Sequence, residues 1–153
     1  PEYRRQRQMC IRDSKKKYID TGKVQLEFID YPLDRLAVIA ATLARSIPTK
    51  DGYIEAVSIL LKKQKQWAYS KNPLNELQSI AKLFGISSKK FNDISQNISL
   101  MQEIVTKMEK ESQNFDINST PTFIVNDKYK ISGALSFKDF EKELLKSINA
   151  KKS

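Results

Sequence analysis

The stretch Asn-Ser-Thr-Pro-Thr-Phe-Ile-Val-Asn at residues 118–126 marks where the hydrophobic pattern of this chain changes from a helical to a strand period. Its apolar run at 122–125 lies between Pro121 and the turn-forming pair Asn126-Asp127. In the next run, 129–131, apolar residues alternate with lysine. Two short runs joined by such a turn predict a β-hairpin, which sets the fold apart from an all-helical one.

A single helix is predicted after the hairpin. Gly133 ends the second run, and Ser136 with Asp139 three residues later has the spacing of a capping box. Apolar residues recur at helical spacing from there toward the end of the chain. They are Phe137, Phe140, Leu144 and Ile148.

A helical block is predicted ahead of the hairpin, from about Asp34 to Glu111. The predicted helix starts are Asp34, Asp51, Asn72-Pro73 and Ser87 or Ser88, and a further helix contains Leu100, Ile104 and Met108. The predicted inward faces are Leu36, Ile39, Ala40 and Leu43, then Ile54, Val57, Leu60 and Leu61, then Leu74, Leu77, Ile80, Ala81 and Phe84.

Residues 15–28 predict the end of one helix followed by a strand. The segment 15–20 stops at Thr21-Gly22, where glycine suits a left-handed helix cap. Val24, Leu26 and Phe28 then alternate with polar residues, which is typical of a strand with one buried face. A helical block inserted between this strand and the hairpin predicts an α/β or α+β fold.

The composition excludes several kinds of active site. The 153 residues include no histidine, which rules out Ser/His/Asp and Cys/His catalysis and histidine metal sites. The single cysteine, Cys10, can form neither an internal disulfide nor a cysteine-only zinc site. We therefore expect no metal and no cofactor, and no apolar stretch is long enough to predict a membrane span.

The net charge of +9 raises the alternative of a basic, helical nucleic-acid-binding protein. However, the lysines are spread over separate segments rather than clustered in one basic patch. A solvated, lysine-rich surface accounts for the same pattern, so we expect no nucleic-acid partner.

Several motifs, in order along residues 15–150, together resemble the DsbA-like proteins of alphaproteobacteria. The stretch 118–126 is similar to the family's cis-proline loop and following strand, and Gly133 and the helix start at 136–140 occupy matching places. The other matches are Thr21-Gly22-Lys23-Val24, Tyr31-Pro32-Leu33-Asp34 and Gln64-Lys65-Gln66-Trp67-Ala68. The resemblance implies a thioredoxin-like fold at 15–33 and 115–150, an inserted all-helical domain at 34–114, and a tail at 151–153.

The same resemblance implies a thiol:disulfide oxidoreductase, yet the chain has no Cys-x-x-Cys motif. In the family this motif lies at the start of the first helix, where the helix dipole lowers the pKa of one thiol. Residues 15–20 correspond to the tail of that helix. We therefore expect the first strand and the motif to be missing, the chain to be a truncated and inactive fragment, and Cys10 to have no native role.

Residues 1–14 differ from the rest and are expected to be a non-native or disordered leader. They show no helical or strand period and carry four arginines. Residues 8–14 match, residue for residue, one translation frame of a transposon mosaic end used in sequencing libraries. Our hypothesis is that this segment is adapter sequence, and a natural basic arm is the alternative. Codons 8–14 of the DNA decide between the two.

The loop before the first hairpin strand supplies the candidate substrate-binding residues, Thr120 and Pro121. The resemblance implies a cis bond before Pro121 and a Thr120 backbone that pairs with an extended substrate. From the residues alone, a trans proline that opens a strand is the alternative. Trp67 is expected to be core packing rather than part of a substrate groove, and Glu27 and Asp30 are expected on a solvated strand face.

The leading hypothesis is a periplasmic thiol:disulfide oxidoreductase. Its implied partners are unfolded or cysteine-containing polypeptides and a membrane redox partner. A cysteine-free thioredoxin-fold module that binds peptides without a redox step is the alternative from another class.

Overall fold

The structure is a computed structural model that describes residues 15–133 and 135–149. The predictions for Cys10, for the 1–14 leader and for the 151–153 tail lie outside these residues. The chain divides into two compact units: residues up to Phe28 together with Lys110 onward, and Ile29–Glu109. The second unit is shifted by five residues relative to the predicted insertion at 34–114: it begins five residues earlier and ends five residues earlier.

The described residues form helices in both units and two strands in the first. The helices are α1 (Lys15–Ile19, wound as a π-helix), α2 (Arg35–Arg45), α3 (Lys50–Lys62), α4 (Gln64–Ala68), α5 (Pro73–Lys82), α6 (Ser88–Ser95), α7 (Ile98–Phe115) and α8 (Phe137–Asn149). The strands are β1 (Thr122–Val125) and β2 (Tyr129–Ser132).

The second unit is all-helical and is organised around α2, which packs against α3, α5 and α6. The predicted caps of two of these helices are confirmed. The Ala37 N–H donates to Asp34 Oδ1 at 2.8 Å, and the Lys90 N–H donates to Ser87 Oγ at 3.2 Å. Each bond satisfies one of the N–H groups that a helix start leaves without an intrahelical partner.

The start and the inward face of α3 differ from the prediction. Thr49, not Asp51, caps the helix, because its Oγ1 accepts from the Gly52 N–H at 3.1 Å. A Cβ on Gly52 would lie 2.6 Å from Ile47 Cγ2, so only glycine permits this close approach. Ala56, four residues after Gly52, is buried together with Tyr53 and Leu60, whereas Gly52 itself is half-buried. The predicted inward residues that prove only half-buried are Ile54, Val57 and Leu61.

Helix α5 begins at Asn72-Pro73 as predicted, and most of its predicted inward face is buried. Leu77, Ile80 and Ala81 are buried, but Leu74 is exposed. Leu74 lies in the first turn, so the covered part of this helix starts one turn later than the apolar pattern indicates.

The first unit contains the predicted hairpin and the final helix. Strands β1 and β2 pair antiparallel with Val125 opposite Tyr129, and both turn residues Asn126 and Asp127 have positive φ, as tight hairpin turns require. Helix α8 packs against both strands, and Ser136 caps it, with its Oγ accepting from the Asp139 N–H at 3.2 Å. The core residues are Tyr18, Ile131, Phe140 and Leu144, with Val24, Phe123, Val125, Leu135 and Ile148 packed against them.

The prediction of a strand at residues 24–28 is wrong, but the predicted alternation of burial along this segment is confirmed. Within the described part of the chain, β1 and β2 form the one ladder, and no strand is assigned at 24–28. Val24, Leu26 and Phe28 are half-buried, whereas Gln25 and Glu27 are exposed. An alternating pattern indicates burial on one side of a segment and does not by itself specify a β-ladder.

Candidate functional site

The candidate site is the loop that runs from the end of α7 to the start of β1. The peptide bond between Thr120 and Pro121 is cis, which is the isomer that the resemblance implied. Thr120 is exposed and Pro121 is half-buried. The two predicted binding residues thus lie side by side at the point where the chain enters the hairpin.

Helix α7 ends in a tight turn that sets the start of this loop. Asp116 has a φ of 49°, and the Ile117 N–H donates to the Ser112 carbonyl at 2.9 Å. A left-handed residue followed by a bond back to the carbonyl five positions earlier is the Schellman ending of a helix. The loop therefore leaves the helix in a defined direction.

Four further hydrogen bonds connect the end of α7 and the loop to the hairpin. Lys130 Nζ on β2 donates to the Asp116 carbonyl at 2.9 Å and lies 3.3 Å from the Phe115 carbonyl. The Thr122 hydroxyl donates to the Ser119 carbonyl at 2.7 Å. The Gly133 N–H donates to the Pro121 carbonyl at 2.9 Å. Sequence reasoning missed Lys130, because alternation in a strand identifies an outward residue without indicating what it contacts.

Trp67 is buried with the core of the helical unit, as expected. Its side chain is 5% exposed, and its Nε1 donates to the Leu60 carbonyl at 2.9 Å. The bond gives the indole N–H a partner inside an otherwise apolar setting, which is how buried tryptophans are normally accommodated.

Asp30 does not lie on a solvated face, and that prediction is wrong. Its side chain is 13% exposed; Oδ1 accepts from the Tyr53 hydroxyl at 2.8 Å, and Oδ2 lies 2.5 Å from Arg45 Nε. Burial, followed by the Asp30 carboxylate, raises the pKa of Tyr53. A signal was present in the sequence, since Asp30 continues the even-numbered, inward series that includes Phe28. Glu27 is exposed, as expected.

A second buried-to-surface cluster joins α1 to α8. The Tyr18 hydroxyl donates to Glu141 Oε1, and Lys17 Nζ lies 2.5 Å from the same oxygen. The hydrogen bond from Lys17, and then that from Tyr18, lowers the pKa of Glu141. The bond to Glu141 raises the pKa of Lys17 and that of Tyr18.

This cluster predicts a pH-dependent contribution to stability. A carboxyl whose pKa in the folded state lies below its ordinary value of 4.5 stabilises the fold above that pH, and the effect is lost as pH falls through the folded pKa. We expect Glu141→Gln to unfold at lower urea than the wild type at about pH 7, with the difference shrinking toward about pH 3. The control is Glu143→Gln, which removes an exposed pair with Lys146 and should have little effect. A wild-type–variant difference that stays constant with pH would contradict the assignment.

Other kinds of site are not found among residues 15–133 and 135–149. No cluster of three or more acidic, histidine or cysteine side chains is arranged to hold a metal ion there. In the same residues, no helix combines the length and the apolar character of a membrane span.

The sequence matches the thioredoxin family model over residues 4–146. It is 29% identical over 112 residues to a candidate protein-disulfide oxidoreductase of Rickettsia typhi, which covers 73% of this chain and 42% of that protein. It is 24% identical over 125 residues to the thiol:disulfide interchange protein DsbA of Buchnera aphidicola, covering 81% of this chain and 57% of that protein. The chain thus spans less than half of the length of the Rickettsia relative.

The structure is similar to the crystal structure of Wolbachia pipientis alpha-DsbA1. The TM-score is 0.77 at 26% identity, and the superposition covers 92% of this chain and 78% of the other. These matches confirm the resemblance and the predicted thioredoxin-like fold with a helical insertion. The family match also includes residues 8–14, whose adapter origin stays a hypothesis for the codons to test.

Proposed function

Since this chain belongs to the DsbA-like, thioredoxin-fold family, we propose that it serves protein disulfide exchange by binding extended polypeptides along the loop at 118–121. The observation that carries the proposal is the exposure of Thr120 at the entry to β1, in a chain whose family match spans residues 4–146. We place this function in the periplasm, as the resemblance implied.

The proposed binding mode is pairing between the Thr120 backbone and a substrate in extended conformation. Backbone pairing is indifferent to the substrate's side chains, which suits a protein that must accept many unfolded polypeptides. The hairpin supports this mode because the Gly133 N–H holds the Pro121 carbonyl at 2.9 Å. Thr120, the residue before Pro121, therefore adjoins a residue whose carbonyl is held by the hairpin.

The redox step itself requires two thiols, and this sequence contains a single cysteine. Disulfide exchange proceeds when a thiolate attacks a disulfide and forms a mixed disulfide, which a second thiol then resolves. The chain has one cysteine, Cys10, so it cannot supply both thiols. We therefore propose that this chain provides the substrate-binding side of the reaction and has no dithiol oxidase turnover by itself.

The test is an NMR titration of the ¹⁵N-labelled chain with an unfolded, cysteine-containing peptide. We expect saturable shifts at Ser119, Thr120 and Thr122, and no catalysed oxidation of a reduced peptide. Methylating every amide of the peptide should weaken binding about tenfold, because it removes the main-chain N–H donors that any register of pairing uses. Thr120→Ala, which keeps the backbone, should bind within about twofold.

Two outcomes would overturn the proposal. One is an absence of shifts at 119–122 with peptide at millimolar concentration. The other is an unchanged affinity when every peptide amide is methylated, which would indicate recognition by side chains. A DNA oligonucleotide in place of the peptide tests the basic-protein alternative, and we expect it to leave the loop signals unchanged.

A further inference from the structure

We infer that Lys130 is the positioning residue of the proposed substrate loop: its ammonium group holds the end of α7 against the hairpin and so fixes where the loop begins. The inference rests on the proposed function for the meaning of the loop. Its geometry rests on the first unit alone, because α7 from Lys110 onward, the loop and the hairpin all belong to that unit.

The contact is made by a cation at the carboxyl end of a helix. Lys130 Nζ lies 2.9 Å from the Asp116 carbonyl oxygen and 3.3 Å from that of Phe115. The last carbonyls of a helix have no intrahelical donor and carry the negative end of the helix dipole. A lysine ammonium can donate hydrogen bonds to these carbonyls and place a positive charge at the negative end of the dipole, since it has three donors and a charge of +1.

Lys130 is placed for this role by the register of the hairpin. It lies opposite Ile124 in the ladder, and its neighbour Ile131 faces the core beside Phe140. Successive strand residues point to opposite faces, so Lys130 is directed away from that core. Its side chain therefore crosses from the hairpin to the end of α7.

The far end of the loop is tied to the same hairpin. Thr122 holds the Ser119 carbonyl, and Gly133 holds the Pro121 carbonyl. Both ends of the loop are thus hydrogen-bonded to the hairpin, and Lys130 makes the contact at the α7 end. Without Lys130, the Schellman turn still sets the direction in which the loop leaves α7, but the ammonium group no longer holds the end of that helix against the hairpin.

The carbonyls, rather than the nearby carboxylate, account for the contact. Asp116 Oδ2 lies 3.7 Å from Lys130 Nζ, but the Asp116 side chain is 92% exposed. An exposed pair at this distance is screened by water and contributes little. The hydrogen bonds to the two carbonyls, at 2.9 and 3.3 Å, are both shorter than this contact, and their acceptors belong to the backbone.

The test compares Lys130→Met, Lys130→Arg and Asp116→Asn in the free protein. Lys130→Met keeps most of the stem and removes the charge, and we expect the Ile117 amide to exchange with deuterium about tenfold faster. Lys130→Arg should restore exchange to within about twofold, since it keeps a cationic donor. Asp116→Asn should match the wild type, because it keeps the carbonyl and tolerates a positive φ. The deuterium exchange rates of the α8 amides should be unchanged in all three variants.

Peptide binding separates this inference from the proposed function. In the titration described above, Lys130→Met should bind peptide about three- to tenfold more weakly, with Lys130→Arg near the wild type. If the wild type binds no peptide, the proposed function fails while the exchange result still decides the role of Lys130. Unchanged Ile117 exchange in Lys130→Met, or an equal acceleration in Asp116→Asn, would overturn the inference.

Discussion

Replacing Trp67 with alanine is expected to lower the free energy of unfolding of the helical unit by about 3–5 kcal/mol and to leave peptide affinity unchanged. The indole is 5% exposed and fixed through its bond to the Leu60 carbonyl, so truncation loses both apolar burial and a satisfied polar contact. Helix α4 has five residues, too few to be stable alone, and Trp67 is its buried residue. Urea denaturation followed by circular dichroism at 222 nm measures the loss.

Two further variants make this prediction specific. Trp67→Phe keeps an aromatic ring and removes the N–H donor, and we expect a cost of about 1–2 kcal/mol. Tyr69, two residues later, is 84% exposed, and Tyr69→Ala should stay within about 0.5 kcal/mol of the wild type. If Trp67→Ala instead left stability unchanged and abolished peptide binding, Trp67 would belong to a substrate groove and not to the core.

Features encoded by neighbouring residues were predictable from the sequence. The caps at Asp34 and Ser87 depend on a side chain three positions before the N–H it accepts from, so the pattern and the structure agree. The hairpin follows from an apolar run, a turn pair and a second run within a dozen residues. The same locality explains why the helix starts predicted at Asp34, Asn72-Pro73 and Ser87 agree with α2, α5 and α6.

Features that depend on distant partners were not predictable in the same way. The apolar pattern of α3 contains two overlapping faces, and the inward one is chosen by the close approach that Gly52 permits to Ile47. The segment at 24–28 has the burial of a strand, but no property of its residues specifies a partner. In the candidate site, Thr120 and Pro121 followed from family resemblance, whereas Lys130 meets the end of α7 fourteen residues away in sequence.

The Asp30 cluster is the clearest case of a distant interaction that a single substitution can measure. Asp30 lies at the beginning of the helical unit, and it joins α2 through Arg45 to α3 through Tyr53. The Arg45 guanidinium also lies over the Tyr53 ring, 4.2 Å from its centroid. Because the three side chains contact one another, their contributions to stability should not be independent.

We therefore expect Asp30→Ala to lower the free energy of unfolding by about 2–4 kcal/mol, since it removes the acceptor that the Tyr53 hydroxyl and the Arg45 guanidinium share. Tyr53→Phe removes one donor and leaves the ion pair, so its cost should be about 1 kcal/mol. The double variant should then cost less than the sum of the two by about 0.5–2 kcal/mol. The matched control is Asp93→Asn on the exposed side of α6, expected within about 0.5 kcal/mol of the wild type. Additive costs would contradict the coupling between Asp30 and Tyr53, and an Asp30→Ala effect as small as that of the control would show that Asp30 behaves as a solvated carboxylate.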